Sequence, residues 1–270
     1  MKQAPFSRHR KKWTRGIWAG WALLWGLGLA APPLRTPDDA RFTAEAAARI
    51  TRNCREVLAP VYGPLAEQIV RDFHLAGREG IGIDLGSGPG HLIFELCART
   101  RMYWINADIN PHFFPEFLAE AGRRGWSGRV GAVFADARAL PFRDDYADVI
   151  VSRGSFQFWG DWQQSFGEVY RVLRPGGVAY IGRGFARDFP AAAARRVRDA
   201  QHHRFHYDVA ETARRLAAVM QTLGIRDYTI HQPHPPDAAG ILYGIWLEIH
   251  KPRTADTTPT RPRRPSSPRP

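Results

Sequence analysis

Hydrophobic residues in the middle of this chain follow two alternating periods. Short, mostly apolar runs recur at residues 81–85, 103–107, 130–134, 148–152 and 178–181, with longer stretches of helical spacing between most of them. Compact apolar runs bounded by glycine, proline and polar residues predict strands buried on both faces. Their alternation with helices predicts a mostly parallel sheet with crossover connections. Helical spacing covers residues 43–58, is interrupted by Pro60, Gly63 and Pro64, and resumes over 65–73. It returns at Leu92, Ile93, Leu96 and Cys97, then over 112–121, 162–173 and 208–223. Arg174-Pro175-Gly176-Gly177 predicts a turn before the fifth strand. The last two runs, 228–231 and 241–249, have only a proline-rich stretch between them and predict a closing antiparallel hairpin. No internal repeat is visible.

Composition changes this picture only at the ends. The 270 residues, 44% hydrophobic and 24% charged, are those of a globular chain. The net charge of +12 suggests a nucleic-acid partner until it is divided: residues 1–15 contribute +6 and 251–270 contribute +5, leaving +1 for 16–250. A near-neutral body argues against a specific nucleic-acid surface. Residues 1–34 join a basic stretch to an apolar one containing Trp18, Trp21 and Trp25, then Gly28-Leu29-Ala30-Ala31 and Pro32-Pro33. This is the layout of a signal peptide or, second, a membrane anchor, so the expected location is exported or membrane-associated. A true start downstream of this segment would leave the protein in the cytoplasm. Residues 252–270 alternate proline with arginine, threonine and serine and are expected to form a disordered tail. The two cysteines, Cys54 and Cys97, are too few for a disulfide framework.

The chemistry is densest at Asp84-Leu85-Gly86-Ser87-Gly88-Pro89-Gly90-His91. Glycines after a first strand let the backbone turn tightly and approach a ligand, while the next helix directs its N-terminus there. A dinucleotide fingerprint needs a third glycine at position 91, where histidine stands, and no phosphate-loop run is present. Asp108 ends the second strand, where a carboxylate accepts ribose hydroxyls, and Asp136-Ala137 follows the third.

These features resemble the class I S-adenosylmethionine-dependent methyltransferases, nearest the ubiquinone and menaquinone C-methyltransferase-like (type 11) group. The likeness runs from about Val61 to Phe185 and includes Leu140-Pro141-Phe142, residues 147–152 and Glu168 to Gly177. It implies an α/β, Rossmann-like fold with a seven-stranded, mostly parallel sheet of order 3-2-1-4-5-7-6 and helices on both faces. Residues 35–78 would form a helical cover and 79–251 the methyltransferase domain. It also implies S-adenosyl-L-methionine as cofactor: Asp84, Gly86, Ser87, Gly88 and Gly90 for the methionine part, Asp108 and Ile109 for the ribose, and Asp136 and Ala137 for the adenine. Ser152 and Arg153 would lie beside the methyl group.

Methyl transfer needs alignment more than a dedicated catalyst, so the acceptor is poorly written in sequence. Ser152-Arg153-Gly154-Ser155 replaces the Asn-Pro-Pro-Tyr run of amine-methylating relatives, and no cysteine follows Cys97. A small-molecule acceptor is therefore expected. Arg153, His91 and Tyr62 are the candidate catalytic residues. Gln157, Phe158, Trp159 and Arg183 join Tyr62 and Arg153 as candidate acceptor wall. Packing against the next helix is an equally good reading of the aromatics. His202, His203 and His206 show one metal-like spacing, but without accompanying carboxylates no metal is expected. A non-catalytic binding or scaffold protein on the same fold is the alternative, motivated by the export-like N-terminus.

Overall fold

A computed structural model describes residues 34–36, 39, 42–201, 208–232 and 243–253. The expected signal segment, the basic tail and the His202, His203 and His206 cluster lie outside these, except that the two segments' inner ends, Leu34, Pro252 and Arg253, are described.

Seven strands form one sheet of order β3-β2-β1-β4-β5-β7-β6. In chain order they are β1 (Ile81–Leu85), β2 (Tyr103–Asp108), β3 (Val130–Phe134), β4 (Ala147–Arg153), β5 (Leu173–Gly184), β6 (Tyr228–His231) and β7 (Gly244–His250). Strands β1 to β5 pair in parallel, whereas β7 runs antiparallel to both β5 and β6. The helices are α1 (Ala44–Glu56), α2 (Ala59–Asp72), α3 (His91–Cys97), α4 (Phe114–Arg123), α5 (Trp162–Val172), α6 (Ala191–Ala200) and α7 (Val209–Thr222).

Side chains on successive strand residues point to opposite faces, and both faces are packed. Trp104, Val149, Val151, Tyr180 and Trp246 meet α2, α3 and α4 through Leu65, Ile69, Leu92, Leu96 and Phe117. Ile83, Ile105, Ile150, Ile181 and Leu247 meet α5 and α7 through Phe166, Val169, Leu216 and Met220. Helix starts follow local capping chemistry. Thr43 Oγ1 accepts from the Ala46 N–H at 3.1 Å, and Asp161 caps α5 through Gln164 at 3.0 Å. Asp208 caps α7 through the N–H of Glu211 at 2.9 Å.

Three expectations are corrected. Helix α2 runs unbroken from Ala59 with Pro64 inside it. Pro60 occupies its first turn, where a missing N–H costs nothing, so only Pro64 removes a bond. The fifth strand starts at Leu173, because the residues read as a turn form an irregularity in the β4–β5 pairing between Ala147 and Val149. Helix α6 was not anticipated. Of its ten residues only Ala194 and Val197 are buried.

Gly90 caps α3 with φ of 80°. A Cβ there would overlap the ring of the fully buried Phe117. Gly90→Ala is therefore expected to lower unfolding free energy by about 2–4 kcal/mol, with Phe117→Leu in the same chain restoring part of the loss. Urea unfolding of the single and double variants checks both statements.

Candidate functional site

The carboxyl ends of β1, β2 and β4 converge, and what they carry is set by strand parity. Asp84, Asn106 and Arg153 fall on the alternation of Trp104, Val149 and Val151, the face toward α2 and α3, and Asp108 closes β2 on the same alternation. The glycine loop after β1 is built around these side chains. Ser87 Oγ donates to Asp84 Oδ2 at 2.7 Å, and the Gly88 N–H donates to Asp108 Oδ2 at 2.7 Å. The other Asp108 oxygen accepts from the Asn110 N–H at 2.8 Å. Asn106 donates to the Gly88 carbonyl at 2.9 Å, so β2 holds the loop by both an acceptor and a donor.

Gly86, Gly88 and Gly90 all have positive φ. They differ in what surrounds them. A Cβ at Gly86 would overlap Ser155, whereas at Gly88 the nearest atom is 3.9 Å away, on Phe113. Gly88 is itself buried, yet a side chain at this position would meet almost nothing, so the turn borders unfilled space beside two buried carboxyls. Burial raises Asp84 to about 7, partly offset by Ser87. Burial likewise raises Asp108 to about 6, against the pull of the Asn110, Gly88 and Ile109 N–H groups. Two buried acids beside this turn, both raised toward neutrality, could accept from hydroxyls or face a positive charge.

After β4 the chain diverges from the expected acceptor wall. Ser152 is fully buried, its hydroxyl 2.6 Å from that of Ser155, which also donates to the Leu85 carbonyl at 2.9 Å. Trp159 donates to Ser155 Oγ at 3.0 Å and packs on Phe166, Phe156 packs on Trp162, and Phe158 is exposed. Phe156 and Trp159 therefore belong to the core facing α5. Trp159 thus packs toward the next helix, the other reading of these aromatics, while Phe158 ends the 3-10 turn Phe156–Phe158 exposed. Gln157 is half-buried and donates to the Gly154 carbonyl at 2.8 Å. Arg183 lies at the β5 end opposite Ile245.

Tyr62, His91 and Arg153 do come together. The Arg153 guanidinium lies 5.5 Å from the Tyr62 ring centre, and the His91 ring lies 5.4 Å from it on α3. Arg153 Nε donates to the Gly184 carbonyl at 3.3 Å. Burial pushes the Tyr62 hydroxyl well above its ordinary value and, with Arg55 and Arg124, pulls His91 down, leaving a neutral imidazole at physiological pH. Its Nδ1 is buried with no partner among the described residues.

Asp136 is placed differently from the two acids of the loop. It forms a buried pair with Arg138, whose Nη2 reaches Oδ2 at 2.7 Å and whose Nε and N–H reach Oδ1 at 3.1 and 3.0 Å. Burial acts to raise its carboxyl, but these donors bring it below the usual range. Ala137 is buried beside it. Sequence reasoning missed Asn106 and Arg138. Both stand two residues from a predicted acid, so strand and turn spacing could have found them.

A seven-stranded sheet of this order, with a glycine loop and acids at its carboxyl edge, defines the class I methyltransferase fold. Residues 83–181 match the family described as methyltransferase domain. The chain is 36% identical over 100 residues to 2-methyl-6-phytyl-1,4-hydroquinone methyltransferase of Arabidopsis thaliana, covering 37% of this chain and 28% of that protein. It is 35% identical over 97 residues to demethylmenaquinone methyltransferase of Thermus thermophilus, covering 35% and 43%. The chain spans less than half the length of these relatives. A proposed S-adenosyl-L-methionine-dependent methyltransferase of Methanococcus maripaludis superposes with a TM-score of 0.68 at 29% identity, covering 81% of this chain and 98% of that one.

Because Asp136 and Arg138 are both buried, removing the cation strands the acid. Arg138→Met is expected to cost about 3 kcal/mol of stability, and the Asp136→Asn/Arg138→Met double variant less than the sum of the two single losses. A double-mutant cycle by thermal unfolding measures that coupling.

Proposed function

We propose that this chain is an S-adenosyl-L-methionine-dependent methyltransferase acting on a small-molecule acceptor. The observation that carries it is the open backbone at Gly88 between the buried Asp84 and Asp108. A cradle that a single Cβ would enter, with two carboxyls aimed around it, fits a nucleoside joined to an amino acid. Asp108 would accept the ribose hydroxyls, with Ile109 against the sugar, and Asp84, Gly86, Ser87 and Gly90 would hold the methionine part. Asp136 and Ala137 would border the adenine, and Ser152 and Arg153 the sulfur end. When bound, the cofactor supplies an electrophilic methyl group on a sulfonium. The chain's own residues orient the two reactants and exclude water, which suffices for an in-line displacement.

Tyr62, His91 and Arg153 are the residues that would meet the acceptor. The neutral His91 can accept a proton from an acceptor hydroxyl, and the Arg153 guanidinium favours the resulting oxyanion. The names of the plant and Thermus relatives support an aromatic hydroquinone as the first acceptor to try. We further propose that residues 1–34 direct the protein to or across a membrane; among the described residues no helix is long and apolar enough to cross one.

Calorimetric titration of the full chain with S-adenosylhomocysteine tests the reading. Micromolar binding, reduced at least tenfold by Asp108→Ala, is expected, and absence of binding by the folded protein would leave the fold as a scaffold. The pH dependence follows from the two raised acids. Hydroxyls and positive charge favour the ionised carboxyls, so binding releases protons at pH values where the free acids are protonated. Affinity is expected to be full above pH 7 and to fall as pH drops through 7 and 6, by up to about tenfold per unit for each group. Titration in buffers of different ionisation enthalpy reads the proton release directly.

A further inference from the structure

Directly after Arg153, the last residue of β4, the chain turns at Gly154 with φ of 78°. The Gly154 N–H donates to the Gly182 carbonyl of β5 at 2.7 Å, and Gln157 Nε2 donates to the Gly154 carbonyl at 2.8 Å. The turn is thus held at both its N–H and its carbonyl. Among the described glycines, a Cβ at Gly77, Gly125, Gly128, Gly154 or Gly224 would meet no atom within 4 Å beyond its chain neighbours. The other four are exposed; Gly154 alone is half-buried, so the unfilled space beside it is a recess at the carboxyl edge of the sheet.

The direction of the Gln157 carboxamide follows from its partner. A carbonyl only accepts, so the atom facing the Gly154 oxygen is the nitrogen, and the amide oxygen faces elsewhere. That oxygen, Oε1, is buried with no partner among the described residues. A buried acceptor left without a donor destabilises by more than a typical hydrogen bond stabilises, and a ligand that brings a donor relieves the cost. Arg153 adjoins the turn, which disfavours a second cation there, so the fitting donor is a hydroxyl rather than an ammonium. The row from His91 to Gln157 is continuous: the Tyr62 ring centre lies 5.4 Å from that of His91 and 5.5 Å from the Arg153 guanidinium, and Gly154 joins Arg153 to Gln157.

We propose that Gln157 determines the class of acceptor: at the Gly154 recess its Oε1 accepts a hydrogen bond from a second hydroxyl of the acceptor, while the first hydroxyl meets His91 and Arg153. The site then takes an aromatic diol. It discriminates against the same ring with one hydroxyl capped as an ether, because an ether oxygen accepts but does not donate, and Oε1 would stay unpaired. This rests on the acceptor reading given above and adds to it one residue and one required group. Gln157 acts by binding alone, and no proton is transferred to or from it.

The test compares hydroquinone with its mono-ether, 4-methoxyphenol, by calorimetry on the full chain saturated with S-adenosylhomocysteine. The wild type is expected to bind hydroquinone at least about tenfold more tightly. Gln157→Met is expected to bring the two within about twofold by weakening hydroquinone alone, with melting temperature and S-adenosylhomocysteine affinity unchanged. Equal binding of the two compounds by the wild type overturns the proposal without any variant. A preference that survives Gln157→Met also overturns it, and a lowered melting temperature beside that result makes Gln157 a brace for the Gly154 turn only. A wild type that binds S-adenosylhomocysteine but neither compound removes the aromatic diol and leaves the cofactor reading standing. No binding of S-adenosylhomocysteine removes the cofactor reading itself.

Discussion

The geometry of this molecule's site hangs on the pairing of Asp108 with the N–H of Gly88. Parallel strands deliver their carboxyl ends to one edge of the sheet, but nothing in a β-ladder determines the shape of the loop that leaves β1. Asp108 and Asn106, two residues apart on one strand, grip that loop by its N–H and its carbonyl. Only glycine at 88 can hold the positive φ this requires and still leave the ligand side open. Remove the grip and the sheet would survive, but the open turn would have no reason to keep its form.

The grip is costly. Asp84 and Asp108 are buried carboxyls whose ionised forms the fold disfavours, so both titrate well above an ordinary aspartate. Their folded values exceed the unfolded ones, so the stability associated with the protonated forms is fully present at low pH and is lost as pH rises through about 6 and 7. A protein designed for stability alone would place apolar residues there. The arrangement makes sense where a ligand brings the hydroxyls and charge that the protein withholds. Asp136, in contrast, has its counter-charge built in through Arg138, and so serves as a rigid border.

Much of this was legible in the sequence. Strands buried on both faces read as uninterrupted apolar runs, and the position of an acid or glycine just past such a run places it at the ligand edge whatever the details of packing. What failed was whatever depends on a local rotation or on a single buried stripe. Pro64 looked like an interruption because its neighbour Pro60 could not be recognised as a first-turn residue. Helix α6 buries only the side chains of Ala194 and Val197. The aromatics after β4 read equally as acceptor wall or as packing against the next helix, and for Phe156 and Trp159 the structure has the packing, in the core facing α5.

That placement shows how the two faces divide the labour. Ser155, Phe156 and Trp159 look toward α5, where they lock the loop after β4 against the carbonyl of Leu85. Arg153 alone in that stretch keeps the parity of Val149 and Val151, and so emerges beside Tyr62 and His91. The face under α2 and α3 therefore carries Tyr62, His91 and Arg153, and the face under α5 and α7 carries the packing behind them. Of the elements that bring these three together, α2 lies outside residues 83–181, the stretch matched to the family, whereas the start of α3 and the end of β4 lie inside it.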